Sequence, residues 1–186
     1  MTPYRSFLAT KRPVVEAAGI DIPATAVNPL LFPHQRDLVR WALRKGRCAL
    51  FADTGLGKTF MQLEWARLTG ERVLILAPLS IARQTVREAA KLDIDLTFAR
   101  SQAEAGHLTV TNYEMLHHFD PAAFGAVVLD ESSILKAAEG VYRNRLIDAF
   151  SETPFRLCCT ATPAPNDIAE ITNHSAFLGI MPRRDV

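Results

Sequence analysis

Five short aliphatic runs set the strongest limit on the fold: CALFA (48–52), VLILA (73–77), LTVT (108–111), AVVLD (126–130) and FRLCCT (155–160). They do not alternate regularly between apolar and polar residues, so each reads as a strand buried on both faces. Between them lie stretches with helical spacing, at about 58–69, 80–92, 139–150 and 165–177. Strands alternating with helices imply parallel βαβ units, and hence a three-layer α/β/α domain with a mostly parallel central sheet. A weaker strand is expected near Leu96–Ala99. Pro33 suits a helix first turn, and Leu38, Trp41 and Ala42 continue that helix to about Lys45. Residues 1–30 carry Pro3, Pro13, Pro23 and Pro29 among scattered charge. They read as an arm ahead of a domain at 31–186.

A chain of 186 residues, 48% of them apolar, can bury one sizeable core. Its formal net charge of +1 gives no global attraction to nucleic acid, so a nucleic-acid face would have to be a local patch. The cysteines are Cys48, Cys158 and Cys159. An odd number, two of them adjacent in an apolar run, points to reduced core thiols rather than disulfides or a zinc site. No apolar stretch approaches the roughly 20 residues of a membrane span, and the N-terminus lacks a secretory core, so no membrane partner is expected and the cytoplasm is the default.

The segment Ala52-Asp53-Thr54-Gly55-Leu56-Gly57-Lys58-Thr59 follows a strand and opens a helix, the context a phosphate-binding loop requires. Gly55 and Gly57 let the backbone curl so that the N–H groups around Thr54, Leu56 and Lys58 converge on phosphate oxygens. The helix dipole adds to this attraction. Lys58 can place a cation on the β/γ-phosphates, and the Thr59 hydroxyl can ligate Mg²⁺. The strict pattern starts with Gly, where this chain has Ala52.

A phosphate loop needs a second, acidic strand end. AVVLD followed by Glu supplies Asp130 and Glu131, roughly seventy residues downstream. Two carboxylates at the end of a buried strand are costly without partners. The natural partners are Mg²⁺ for Asp130 and the attacking water for Glu131, which makes ATP hydrolysis the sharper reading.

In order along the chain, these residues resemble the superfamily-two helicases, especially the Swi/Snf-like branch and, within it, prophage-type proteins. The resemblance runs from about Leu31 to Ile180. Leu31-Phe32-Pro33-His34-Gln35-Arg36 is similar to the Q-type segment, and Ala52–Thr59 to motif I. Leu76–Ser80, continuing to Gln84, is similar to motif Ia, and Val110-Thr111-Asn112-Tyr113-Glu114 to motif Ib. Leu129–Ser133, with Lys136, is similar to motif II. Cys159-Thr160-Ala161-Thr162-Pro163, with Asn166, is similar to motif III. The resemblance implies a RecA-like ATP-binding lobe in which Gln35 reads adenine and Thr160 and Thr162 couple hydrolysis to nucleic-acid contacts. Taken alone, those threonines read as strand-end hydroxyls forming a turn before Pro163. It also implies that Ser80, Thr111 and Asn112 face the nucleic-acid backbone; taken individually, each reads as readily as a loop-capping residue. Double-stranded DNA is the preferred track, in a bacterial or phage-infected cell.

One departure is Ser132-Ser133 where the family commonly has Ala-His or Ala-Asp. Coupling through Ser133 would then rest on a hydroxyl. Arg36, Arg40, Arg44, Lys45 and Arg47 make a basic face or a solvated surface. His117 and His118, adjacent on a helix, are expected to point in different directions and not to form a metal site. Trp41 and Trp65 read as packing residues. A helicase motor places ATP between two lobes, the second supplying an arginine finger worth roughly 10³–10⁵ in kcat. The sequence runs only about twenty residues past motif III, and Arg183 and Arg184 are not placed to substitute. The expectation is a weakly active lobe whose second lobe lies in the parent protein or another chain. The alternative is a nucleotide-dependent binding module with negligible hydrolysis.

Overall fold

The computed structural model describes residues 17–137, 140–163 and 170–181. Residues 1–16 of the expected arm, Asn166, Arg183 and Arg184 lie outside them. The elements run α1 (Pro33–Lys45), β1 (Arg47–Phe51), α2 (Lys58–Thr69), β2 (Val73–Ala77), α3 (Leu79–Lys91), β3 (Thr97–Phe98) and β4 (Leu108–Asn112). They continue with β5 (Ala126–Asp130), α4 (Ile134–Ala137), α5 (Gly140–Ala149), β6 (Phe155–Thr160) and α6 (Glu170–Leu178). The six strands form one sheet in the order β1-β6-β5-β2-β4-β3, every pair parallel.

β2, β4, β5 and β6 are buried on both faces, as contiguous aliphatic runs require. β1, at the sheet edge, departs from that expectation: it buries Cys48 and Leu50 but leaves Phe51 43% exposed, and the short β3 at the other edge is half-buried. Val73, Ile75, Ala126, Val128, Leu157 and Cys159 join a core under α1, α2 and α3. Leu74, Leu76, Val127, Leu129 and Cys158 point the other way, into a core with Leu135, Leu146, Phe150 and Phe177. Adjacent Cys158 and Cys159 therefore lie on opposite faces of the sheet. All three cysteines are free and buried, and burial pushes the Cys48 thiol up to about 12.

The helix limits have local causes. Pro33 opens α1, and the Gln35 Oε1 accepts from the Phe32 N–H at 2.9 Å, supplying half of a capping box. Gly46, at φ 70°, ends the helix. In α2, Met61 through Ala66 are all buried, because the helix is packed between α1 and α3. That position buries the helix all round, with Met61, Leu63, Trp65 and Ala66 apolar and the buried Glu64 satisfied by hydrogen bonds.

Residues 17–30 pack against the lobe. The Ile20 N–H donates to the Leu43 carbonyl at 2.9 Å, and the Asn28 N–H donates to Glu64 Oε1 at 2.7 Å. Wholly buried Glu64 also takes two hydrogen bonds from Arg67, whose Nη2 reaches the Ala26 carbonyl. Part of the basic face of α1 serves the same segment: Arg40 Nε donates to the Ile22 carbonyl and Arg44 pairs with Asp21.

Candidate nucleotide-binding site

Strand register assembles the site. β1, β6 and β5 are neighbours, with Phe51 opposite Thr160 and Cys159 opposite Asp130. The loop after β1, the hydroxyl ending β6 and the carboxylate ending β5 therefore fall side by side on the carboxyl edge, where open parallel sheets bind ligands.

In the loop, Gly55 and Gly57 take φ 81° and 77°, a region that favours glycine. The Leu56 N–H donates to the Asp53 carbonyl at 3.4 Å, and the exposed Thr54 is bound through its N–H to Asp53 Oδ1 at 2.7 Å. The bond from the Met61 N–H to the Gly57 carbonyl opens α2, so the N–H groups of Lys58, Thr59 and Phe60 are first-turn donors without intrahelical acceptors. Lys58 Nζ spans the loop mouth, donating to the carbonyls of Ala52 (2.8 Å) and Asp53 (3.2 Å). Thr59 is half-buried beside it.

Gln35 is only 4% exposed, and its amide Nε2 donates to the Leu56 carbonyl at 3.1 Å. With its oxygen on the Phe32 N–H, it ties α1 to the loop. Its two polar atoms already serve main chain, which leaves one amide hydrogen and one lone pair for a base edge.

Asp130 is 4% exposed, and its Oδ1 accepts from the Glu131 N–H at 3.1 Å. Burial pushes its carboxyl above the usual range; the nearby Gln62 amide and the Lys58 charge act against this, while the Glu131 charge adds to it. Gln62 is itself wholly buried. Glu131 takes a left-handed backbone, φ 53°, rare for a residue with a side chain.

The neighbouring hydroxyls fall differently from expectation. Ser133 folds back on its own turn, donating to the Glu131 carbonyl at 3.4 Å. Ser132 makes the distant contact: its N–H donates to the Cys159 carbonyl at 2.9 Å, and its hydroxyl lies 3.0 Å from His174 Nε2. Thr160 is buried and its Oγ1 accepts from the Thr162 N–H at 3.1 Å, which is the turn expected before Pro163.

Ser80 is exposed at the start of α3, but Thr111 and Asn112 are not available in the same way. Thr111 is wholly buried, and buried Asn112 commits its amide to Glu114. β4 is covered on both faces, which takes both residues off the surface that a backbone contact needs. His117 and His118 also correct their expectation. In a 3-10 turn their rings lie together, centroids 3.8 Å apart, rather than diverging. Trp65 is a core residue, whereas Trp41 is 42% exposed beside β1.

No protein-family model matches the chain, and no curated protein matches its sequence. Solved structures do match. The SWI2/SNF2 ATPase core of Sulfolobus solfataricus, in complex with double-stranded DNA, superposes with a TM-score of 0.71 at 20% identity, over 86% of this chain and 38% of that one. The UvsW helicase of bacteriophage T4 gives 0.66 at 15% identity, over 79% and 58%. The Hef helicase domain of Pyrococcus furiosus gives 0.61 at 18% identity, over 78% and 35%. At these identities the likeness is one of fold, and the chain spans less than two thirds of each neighbour's length.

Proposed function

We propose that this chain, which has the fold of a superfamily-two helicase RecA-like lobe, binds Mg²⁺–ATP and acts as the motor lobe of a nucleic-acid translocase. The carrying observation is the register that places the Lys58 loop and Asp130 on one sheet edge. The first-turn N–H groups of α2 and the Lys58 ammonium would hold phosphate oxygens. Glu131 would take the proton of the attacking water.

The residues fit Mg²⁺. The buried Asp130 carboxyl has no salt bridge among the described residues, and the Thr59 hydroxyl adds a second hard oxygen donor. The ion would supply charge neutralisation at the phosphates. Double-stranded DNA is the proposed track, supported by the Sulfolobus neighbour in complex with it. A second RecA-like lobe, in the parent protein or a separate chain, would close the site and donate an arginine finger.

Steady-state ATPase assays with double-stranded DNA, single-stranded DNA and RNA test this reading. Double-stranded DNA should raise turnover most, and Glu131→Gln should lower it roughly 10²–10⁴-fold while nucleotide affinity persists. Turnover unchanged in Glu131→Gln removes the assigned base. If no nucleic acid altered affinity or turnover, the motor reading would fail.

A further inference from the structure

The turn that carries Glu131 is held from a distance. A left-handed backbone such as that of Glu131 is strained for a residue with a side chain and persists only where its surroundings fix it. The residue after it is fixed twice. Ser132 is wholly buried, bound through its N–H to Cys159 on β6 and through its hydroxyl to His174. His174 is 1% exposed and lies on α6, 42 residues further along the chain. Its ring stands edge-on to Phe51, 5.3 Å between centroids at 83°. Phe51 is the last residue of β1 before the phosphate loop. One imidazole thus touches the strand entering the loop and the turn bearing the candidate base. α6 itself packs on α4, β6 and β1.

We propose that His174 is a positioning residue for Glu131: its bond to Ser132 holds the strained 130–132 turn and so sets the direction of the Glu131 carboxylate. This rests on the reading of Glu131 as the base, but the clamp itself can be measured without turnover. His174→Phe keeps an aromatic ring and removes the bond; His174→Gln places an amide near the Nε2 position; Ser132→Ala removes the hydroxyl. Amide hydrogen exchange over residues 128–135 reports the turn, and ATPase kinetics with a fluorescent-nucleotide affinity report its consequence.

In His174→Phe, exchange at the turn should quicken roughly tenfold. kcat should fall roughly 10–100-fold, with KM and nucleotide affinity within about threefold, the pattern of a misplaced rather than an unbound group. His174→Gln should recover most of both effects. Ser132→Ala should match His174→Phe, and the double variant should be no worse than either single one. The proposal is overturned if His174→Phe leaves exchange and kcat unchanged, if Gln rescues neither, or if the two substitutions add. Should His174→Phe fail to fold, Ser132→Ala decides by the same readouts. A wild-type chain that hydrolyses no ATP breaks the functional reading, and exchange alone then decides the clamp.

Discussion

The loop after β1 and the turn after β5 share one sheet edge, yet they are built in opposite ways. The loop is exposed from Asp53 to Leu56 and shaped by two glycines, with bonds inside its own few residues, Gln35 being the long-range tie. The turn is held by partners far along the chain: Tyr113, Cys159 and His174. A loop of the first kind is specified by its own sequence and stays open to a ligand. A turn of the second kind is fixed only when several elements have packed.

The largest expected effect separates two glycines of the loop. A Cβ at Gly57 would stand 2.3 Å from Gln35 Nε2, and φ there is positive; a Cβ at Gly55 meets nothing within 4 Å. Gly57→Ala must displace a buried amide holding both Phe32 and Leu56, in addition to the backbone strain. It should cost about 3 kcal/mol, lowering Tm by roughly 6–12 °C for a chain of this length. Gly55→Ala, with strain alone, should cost about 1 kcal/mol. Calorimetry of both, and of Gly57→Ala in a Gln35→Ala background where the excess should vanish, checks the tie. Equal losses at the two glycines would mean that Gln35 does not anchor the loop.

The same contrast explains what could be read from sequence. Strands 73–77, 126–130 and 155–160 have the expected limits because burial on both faces writes itself as a contiguous aliphatic run. α2 begins at Lys58 as expected, since glycine before a helical stretch is a local signal. Which serine of Ser132-Ser133 reaches across the fold was not legible, because the left-handed Glu131 decides where the next side chain points. The burial of Thr111 depends on what covers β4. His174, Phe177 and Leu178 have the spacing of one buried helix face, which marks the histidine as internal but does not name Ser132 as its partner. The contacts of residues 17–30 with Leu43, Glu64 and Leu92 join segments whose proximity exists only in the folded chain.

A smaller effect of opposite sign is expected at Asp130. Burial raises its folded pKa above the unfolded value of about 3.8. Its stabilising contribution is then complete below that value and is lost as pH rises through the folded pKa. At pH 7–8, well above the unfolded value, burying this group without Mg²⁺ costs stability. Asp130→Asn should therefore gain about 1 kcal/mol, or roughly 2–4 °C in Tm. The gain should shrink toward acid pH, and stabilisation by Mg²⁺–ATP should be lost. A variant no more stable than wild type at pH 8 would show that Gln62 and Lys58 already offset the burial.

The smallest effect on kcat tests whether the turn is held only on its serine side. The Tyr113 hydroxyl donates to the Asp130 carbonyl at 2.7 Å, a buried bond joining the end of β4 to the end of β5 across the intervening β2. Tyr113→Phe removes this donor and keeps the ring, so the fold should lose about 0.5–1.5 kcal/mol. If the Ser132–His174 bond sets Glu131 while Tyr113 only anchors the strand end, the catalytic consequences differ. Tyr113→Phe should leave kcat within about threefold, against the much larger loss in His174→Phe. Matching losses in kcat would make the turn one cooperative unit, with Tyr113 and His174 as its two supports.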